Sequence, residues 1–156
     1  MLAKLPDELD REIIDGEVVS TKTHLEHLIQ KHNLTDCITL HGYRKDFLKV
    51  MASFDVMVNC NRLGAFGRQA FETLALGIAS VATCLNPGKS SLLNNDVAEI
   101  CKEGDFSQLY HATQVLLLDN KKRLQLAHAA RKWGIEQFSP DVQSDKVFKI
   151  YQKIFS

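Results

Sequence analysis

Short apolar runs along this chain alternate with longer stretches in which apolar residues recur every three or four positions. Most of the short runs contain β-branched residues and are followed by turn-forming residues, which is the pattern of buried strands. They are Ile13-Ile14, Cys37–His41, Asp55–Cys60, Ala79–Cys84 and Val97–Cys101. The longer stretches have the spacing of helices that bury one face. They lie at about 20–32, 47–54, 66–76, 106–118, 121–137 and 140–155.

Alternation of strands and helices at this spacing predicts parallel βαβ units. We therefore expect an α/β fold, a single Rossmann-like domain over residues 1–156. Its parallel sheet of about five strands is flanked by helices and followed by a helical C-terminus. In such sheets the ligand crevice lies beyond the carboxyl ends of the strands. The loops at 42–46, 60–67 and 84–90 leave such ends, so they can converge on one ligand.

Charge and cysteine content narrow the class of protein. Lysine plus arginine number 19, as do aspartate plus glutamate, so no net field attracts nucleic acid, and we expect no nucleic-acid partner. Widely spaced cysteines without a C-x-x-C pair favour small buried hydrophobes in a reducing compartment over disulfides or metal ligands. They are Cys37, Cys60, Cys84 and Cys101. Without a signal-peptide core or an apolar run of membrane-span length, we expect a cytoplasmic protein with no transmembrane segment.

The most informative stretch is N-R-L-G-A-F-G-R-Q-A-F-E-T-L-A-L-G, from Asn61 to Gly77. It follows the predicted strand Asp55–Cys60, opens with Gly64 and Gly67, and continues into an amphipathic helix. Glycines allow backbone N–H groups to approach a ligand, and a helix start adds unpaired donors and the positive end of its dipole. The stretch therefore predicts a phosphate or nucleotide site, although Gly64-x-x-Gly67 matches no phosphate-loop pattern.

Three pieces in this order resemble a known family. They are H-G-Y-R-K-D-F-L-K-V-M-A-S-F-D-V-M-V, then N-R-L-G-A-F-G-R-Q-A-F-E-T-L-A-L-G-I-A-S-V-A-T, then a helical carboxyl end. Together they are similar to the nucleotide-sugar-binding C-terminal domain of the family 4, or group 1, retaining glycosyltransferases of the GT-B fold. The similarity runs from about residue 13 to the end and is strongest between Leu40 and Thr83.

The resemblance assigns roles to residues of the central loop. The family pattern is Glu-x7-Glu with F-G between, in which the first glutamate contacts the donor sugar and the second binds the ribose hydroxyls. Phe66, Gly67 and Glu72 match this pattern, whereas Gly64 stands in place of the first glutamate. The resemblance thus implies that Phe66 and Gly67 approach sugar and diphosphate and that Glu72 binds ribose. It names no catalytic residue, because the position of the first glutamate lacks a carboxylate.

Other candidate residues each have two interpretations. Arg62 and Arg68 flank the loop and can bind a diphosphate, since a guanidinium fork matches phosphate oxygens, but surface salt bridges are an equal alternative. Tyr43 and Arg44 stand where the family packs the nucleotide base, although a Gly-Tyr turn also has a purely structural explanation. Glu72 itself can be an ordinary solvated helix residue. Ser90 and Lys89 follow the Pro87-Gly88 turn, where helix capping is preferred over phosphate binding.

The resemblance also implies what this chain lacks. We expect the acceptor-binding N-terminal domain to be absent, together with the first strand and helix of this half, which supply an arginine and a lysine to the diphosphate. The expected function is the donor-binding half of a retaining glycosyltransferase, inactive alone and completed by a separately encoded N-terminal half. The ligand is a nucleotide diphosphate-sugar, with no cofactor and no metal. The alternative is a nucleotide-binding or protein-interaction module that has lost catalysis.

Overall fold

A computed structural model describes residues 11–14, 17–60, 67–85 and 93–155. These residues fall into two compact units, Met1–Phe47 and Leu48–Ser156, and each is considered by itself. The α/β class with a parallel sheet, flanking helices and a helical C-terminus is confirmed. The assignment of all 156 residues to one domain stays a prediction.

The first unit contains a β-hairpin and a helix. Strand β1, Arg11–Ile14, pairs antiparallel with β2, Glu17–Ser20. The sequence indicated a strand at Ile13-Ile14 but not its partner. Helix α1 follows at Thr21–Lys31, close to the predicted range, and Asn33 beyond it has a φ of 55°. Asparagine accepts this left-handed conformation more readily than most residues, so it suits the chain reversal after a helix.

The predicted strand Cys37–His41 is wrong. Its residues form a turn and an irregular segment in the first unit, where Ile38 is 42% exposed and Leu40 is 38% exposed. A β-branched apolar run has the propensity for a strand, but a strand also needs a paired neighbour and a buried face. Neither is present for this run in the described part of the chain. Cys37 is consequently exposed, contrary to the expectation that all four cysteines are buried.

The second unit is built on a parallel sheet. Its strands are β3 at Val56–Asn59, β4 at Ala79–Cys84 and β5 at Glu99–Lys102, hydrogen-bonded in that order. In the described residues this sheet has three strands, so the prediction of about five in one sheet is wrong. The other two strands belong to the antiparallel hairpin. All six residues of β4 are buried, as expected for the central strand of a parallel sheet.

Helices surround this sheet and extend beyond it. They are α2 at Phe47–Met51, α3 at Arg68–Leu76, α4 at Phe106–Leu118, α5 at Asn120–Phe138 and α6 at Pro140–Phe155. Helices α4 and α6 have the predicted bounds, and α2 is shorter than the predicted 47–54. Asp105 and Asp119 cap α4 and α5 by accepting backbone N–H bonds at 2.8 and 2.9 Å.

Alternate residues of β4 belong to two separate core clusters. Ala82 and Cys84 pack with Leu74 of α3 and Ala130 of α5 in one cluster. Ala79 and Val81 pack with Cys101 of β5, Leu116 of α4 and Leu126 of α5 in the other. Because successive side chains of a strand point to opposite faces, the two clusters cover the two faces of the sheet. The sheet therefore holds α3 against one face and α4 against the other.

Candidate functional site

Helix α3 begins at the predicted nucleotide loop. Gly67 is its N-cap, with a φ of −66° and a ψ of 163°, and its carbonyl accepts a hydrogen bond from the Ala70 N–H at 2.9 Å. Glycine is therefore not required here by a left-handed backbone. Among the described residues no side chain caps the helix, and no acidic residue lies in its first turn. Its first N–H groups and the positive end of its dipole are consequently available to an anion.

Glu72 lies one turn into α3 and is paired with Arg68. The Arg68 Nε and the Glu72 Oε1 are 3.0 Å apart, with the arginine side chain 64% exposed and the glutamate side chain 22% exposed. The Glu72 Oε2 is enclosed and has no hydrogen-bond donor among the described residues. The structure thus places Glu72 in a largely covered position rather than on a solvated face. One of its two carboxylate oxygens lacks a donor.

The far end of α3 is anchored to α5. Gly77 ends the helix with a φ of 70°, a conformation that favours glycine, and Arg131 of α5 donates to the Ala75 carbonyl at 3.2 Å. Gly134 of α5 lies so close that a Cβ there would approach the Ala75 N and the Leu74 C to 3.1 Å. Close helix packing and this end cap hold α3 rigidly, which fixes the orientation of its first turn.

Tyr43 and Arg44 lie in the first unit, whereas Gly67, Arg68 and Glu72 lie in the second. Tyr43 is 61% exposed, so its ring is available to a ligand. Arg44 is engaged by Asp46, with Nε donating to Oδ1 at 3.0 Å and Nη2 donating to Oδ2 at 2.8 Å. The hydrogen bond and the opposite charge raise the pKa of Arg44, and the same hydrogen bond lowers the pKa of Asp46.

A cavity of about 210 Å³ lies at the carboxyl edge of the sheet. It is lined by Cys60 after β3, Thr83 of β4, the segment Glu103–Asp105 after β5, and Phe106 and Leu109 of α4. Two carboxylates among these residues disfavour a phosphate group there. Cys60 is exposed, which again corrects the expectation of a buried thiol. This cavity was not predicted from the sequence. The feature that indicates it is the E-G-D segment, Glu103–Asp105, directly after the last strand.

Several predicted residues lie outside the described part of the chain. They are Arg62, Gly64, Phe66, Lys89 and Ser90. Their assignments to sugar, diphosphate or helix capping stay predictions. The Arg68 to Glu72 ion pair was not predicted as such, although opposite charges four residues apart on one helix indicate such a pair.

Comparison with known proteins identifies the family. The model of the glycosyl transferases group 1 matches residues 13–133 of the 156. The chain belongs to this family. The resemblance proposed from the sequence is thereby confirmed, and the match includes every candidate site residue named above. None of the curated proteins compared with this group 1 chain matches it significantly.

Solved structures share the fold of this group 1 chain at low sequence identity. HepE from Anabaena in complex with UDP is 19% identical with a TM-score of 0.77, over 85% of this chain and 36% of that chain. A glycosyltransferase from Rickettsia africae is 22% identical with a TM-score of 0.76, over 86% and 36%. Sucrose-phosphate synthase from Thermosynechococcus elongatus is 22% identical with a TM-score of 0.73, over 86% and 34%. The group 1 chain thus spans about a third of these proteins.

Two features are absent from the described residues of this group 1 chain. No three histidine, cysteine, aspartate or glutamate side chains within residues 11–14, 17–60, 67–85 and 93–155 come together as a metal-binding group. Across the same ranges, no helix combines the length and apolarity that crossing a membrane requires.

Proposed function

We propose that this chain is the donor-binding half of a retaining glycosyltransferase that transfers a sugar from a nucleotide diphosphate-sugar to an acceptor glycan, lipid or small molecule. Family membership supports sugar transfer as the general activity. HepE, which shares the fold, is described in complex with UDP and with UDP-glucose. A donor nucleotide bound at the carboxyl edge of the parallel sheet is the general arrangement of such folds.

The start of α3 is the observation that carries this proposal. In the part of the chain that the structure describes, its first turn has no side-chain cap and no acidic residue, and Arg68 adds a positive charge beside it. A diphosphate satisfies free N–H groups and the dipole at the same time. The Glu72 carboxylate lies on the same helix, and its Oε2 lacks a donor among the described residues. A ribose diol supplies two hydroxyl donors to such a group.

Each remaining assignment of this proposal has a chemical reason. Gly67 lets the ligand approach the backbone next to Phe66, Arg62 and Arg68 bind the diphosphate, and Tyr43 packs the base. Arg44 donates hydrogen bonds to the ligand beside Tyr43 through the guanidinium N–H groups that Asp46 leaves free. During transfer, negative charge grows on the leaving diphosphate, and the helix dipole with the basic groups stabilises it without a metal.

The proposal includes a partner and a location. Family membership supports an N-terminal glycosyltransferase half as the partner that supplies the second wall of the cleft. That half binds the acceptor and completes the active site. The proposed location is the cytoplasm. Four unpaired cysteines favour a reducing compartment, and synthesis of the nucleotide-sugar donor suits the same place.

Gly64 favours a second candidate function. It stands where the family resemblance implies a glutamate that contacts the sugar. The site can therefore bind the nucleotide without selecting the sugar. In that case the chain is a nucleotide-binding or interaction module without catalysis. The two functions differ in one property, because only a donor-binding half prefers the sugar conjugate over the bare nucleotide diphosphate.

Ligand titration of the whole chain tests the proposed function. UDP, GDP and ADP and their glucose conjugates are titrated while backbone amide signals are recorded by NMR, and we expect the amides of the first turn of α3 to shift. Replacing Glu72 by Gln keeps the shape of the side chain but removes its charge. We expect Glu72→Gln to weaken binding by about 1–3 kcal/mol, the cost of a lost hydrogen bond to a charged group.

A matched control comes from α5, where Glu136 also forms an i,i+4 pair, with Lys132, at 4.0 Å. We expect Glu136→Gln to leave the affinity unchanged. If no nucleotide shifts the amides of α3, the proposed function is wrong. If UDP and UDP-glucose bind equally, the non-catalytic alternative is preferred.

A further inference from the structure

We propose that Arg68 is a positioning residue that holds the Glu72 carboxylate in place and thereby sets a preference for ribonucleotides over 2′-deoxyribonucleotides. This inference rests on the proposed function. It assigns to Arg68 a role different from the diphosphate contact predicted from the sequence, because the role acts through Glu72. It depends on which atoms of the two side chains are already engaged.

The ion pair engages one oxygen of the glutamate and one edge of the arginine. The contact of 3.0 Å joins the Arg68 Nε to the Glu72 Oε1, so Oε2 is not part of it. Oε2 is enclosed and has no donor among the described residues. A carboxylate offers about four acceptor positions, so the pair leaves part of Oε1 for a hydroxyl donor, and a donor reaches the enclosed Oε2 only by displacing the groups that cover it. A diol needs two acceptor positions at a fixed separation.

Helix stability alone does not explain this pair well. The basic residue precedes the acidic one, which is the less favourable order for an i,i+4 pair. Arg68 is also the first residue of α3, where the helix dipole disfavours a positive charge. With the arginine side chain 64% exposed, the pair contributes little to folding. Its main physical effect is on the orientation of the carboxylate.

The orientation matters because the glutamate is largely covered. With the Glu72 side chain 22% exposed, solution reaches its carboxylate from a limited range of directions. Rotation of the carboxylate about its last bond exchanges the two oxygens and turns their lone pairs. The planar guanidinium at Oε1 restricts this rotation, since the orientations between the two equivalent ones would break the ion pair. A restricted carboxylate binds a diol with less loss of rotational freedom.

The guanidinium keeps further donors for the ligand. Arginine has five N–H donors in a planar fork, and pairing through Nε leaves its two terminal groups able to meet a phosphate oxygen. Arg68 therefore has two separable effects on a nucleotide diphosphate. Its charge attracts the diphosphate, whereas its contact with Glu72 determines how strongly the site prefers ribose over 2′-deoxyribose.

The test compares UDP with 2′-deoxy-UDP, because only the first carries both ribose hydroxyls. Both are titrated into the whole chain and into Arg68→Gln, Arg68→Lys and the control Lys132→Gln of the α5 pair. We expect the original chain to prefer UDP by about tenfold or more, as expected when a hydrogen bond to a charged group is lost. Arg68→Gln should weaken both ligands and reduce the preference to below about threefold.

Arg68→Lys separates the two effects of the arginine. Lysine keeps the charge but lacks the planar fork, so we expect most of the UDP affinity to return while the preference for UDP stays reduced. The control Lys132→Gln should leave both affinities and their ratio unchanged. An unchanged ratio in Arg68→Gln and Arg68→Lys overturns the inference and leaves Arg68 as a diphosphate contact only.

A second measurement reads the ion pair without any ligand. The Nε–Hε signal of Arg68 is followed by nitrogen-15 NMR in the original chain and in Glu72→Gln. We expect the signal to move to the position of a free guanidinium when the carboxylate is removed. A signal that does not move shows that the pair is absent in solution and overturns the inference. If the pair is seen but no nucleotide binds, the proposed function is wrong and this inference falls with it.

Discussion

At the scale of single residues, burial divides the cysteines into two classes. Cys37 and Cys60 are exposed, whereas Cys84 is 3% exposed and Cys101 is 1% exposed. Burial raises the pKa of the Cys101 thiol from 9.0 to about 11, and the carboxylates of Glu99 and Asp105 add to the effect. A thiol is charged only when it loses its proton, so a low-dielectric surrounding favours the protonated form. Cys101 therefore stays a thiol over the ordinary pH range.

This shift predicts a loss of stability in alkali. The folded chain binds the Cys101 proton more tightly than the unfolded chain, so stability is unaffected below about pH 9 and falls as the pH rises toward about 11. Between pH 8 and pH 10.5 we expect this thiol to lower the free energy of unfolding by about 1–2 kcal/mol. Urea unfolding at both pH values measures the loss, which Cys101→Ala should reduce and the exposed-site control Cys37→Ala should not. An equal loss in all three proteins would contradict the assignment to Cys101.

At the scale of elements, the packing of α3 against α5 predicts the sign of a glycine substitution. Alanine normally stabilises a helix relative to glycine by about 0.5–1 kcal/mol. At Gly134 the added Cβ would come within 3.1 Å of the Ala75 N and the Leu74 C, which are backbone atoms that cannot turn away. We therefore expect Gly134→Ala to lower the free energy of unfolding by about 1–3 kcal/mol, measured by urea unfolding.

The control for this substitution is Gly42. A Cβ built there meets nothing within 4 Å, so Gly42→Ala adds the same methyl group without a clash. We expect it to change the free energy of unfolding by less than about 0.5 kcal/mol. A gain in stability from Gly134→Ala would show that α3 can move away from α5, and α3 would then not be rigidly anchored.

The same elements show what the sequence could predict and what it could not. The buried run of β4 and the helical repeats of α4 and α6 gave exact bounds, because each has one clear period and a clear end. The run Cys37–His41 has an equally apolar pattern, but its state depends on a pairing that sequence cannot report. Strand β2 was missed because Ser20 falls in the helix predicted at about 20–32 and the residues before it lack a strict alternation.

The candidate site was predictable to a similar extent. A strand followed by glycines and an amphipathic run correctly predicted a helix carrying Glu72, at about 66–76, which the structure has at Arg68–Leu76. The enclosure of Glu72 was not predictable, since helical spacing describes the direction of a side chain and not what covers it. A surface salt bridge of Arg68 was one of two alternatives, but Glu72 was not predicted as its partner, because an exposed arginine can meet a phosphate or a neighbouring carboxylate with equal ease.

At the scale of the whole molecule, zero net charge coincides with an apolar helix face. The formal net charge at pH 7 is +0, so electrostatic repulsion between copies is weakest there. None of the described residues of α6 is buried, and several of its large apolar side chains are more than half exposed. They are Phe148, Ile150, Tyr151, Ile154 and Phe155. Apolar surface of this kind promotes association when charge does not oppose it.

We expect the chain on its own to associate most strongly near pH 7 and less at pH 5 or pH 9, where its net charge is larger. Two variants separate charge from apolar area. Phe148→Glu and Gln152→Glu each add one negative charge to α6, but only the first removes an exposed aromatic side chain. Static light scattering at pH 7 over a concentration series should show Phe148→Glu remaining monomeric to a several-fold higher concentration, with Gln152→Glu close to the original chain. Equal improvement in both variants would assign the association to net charge rather than to the apolar face of α6.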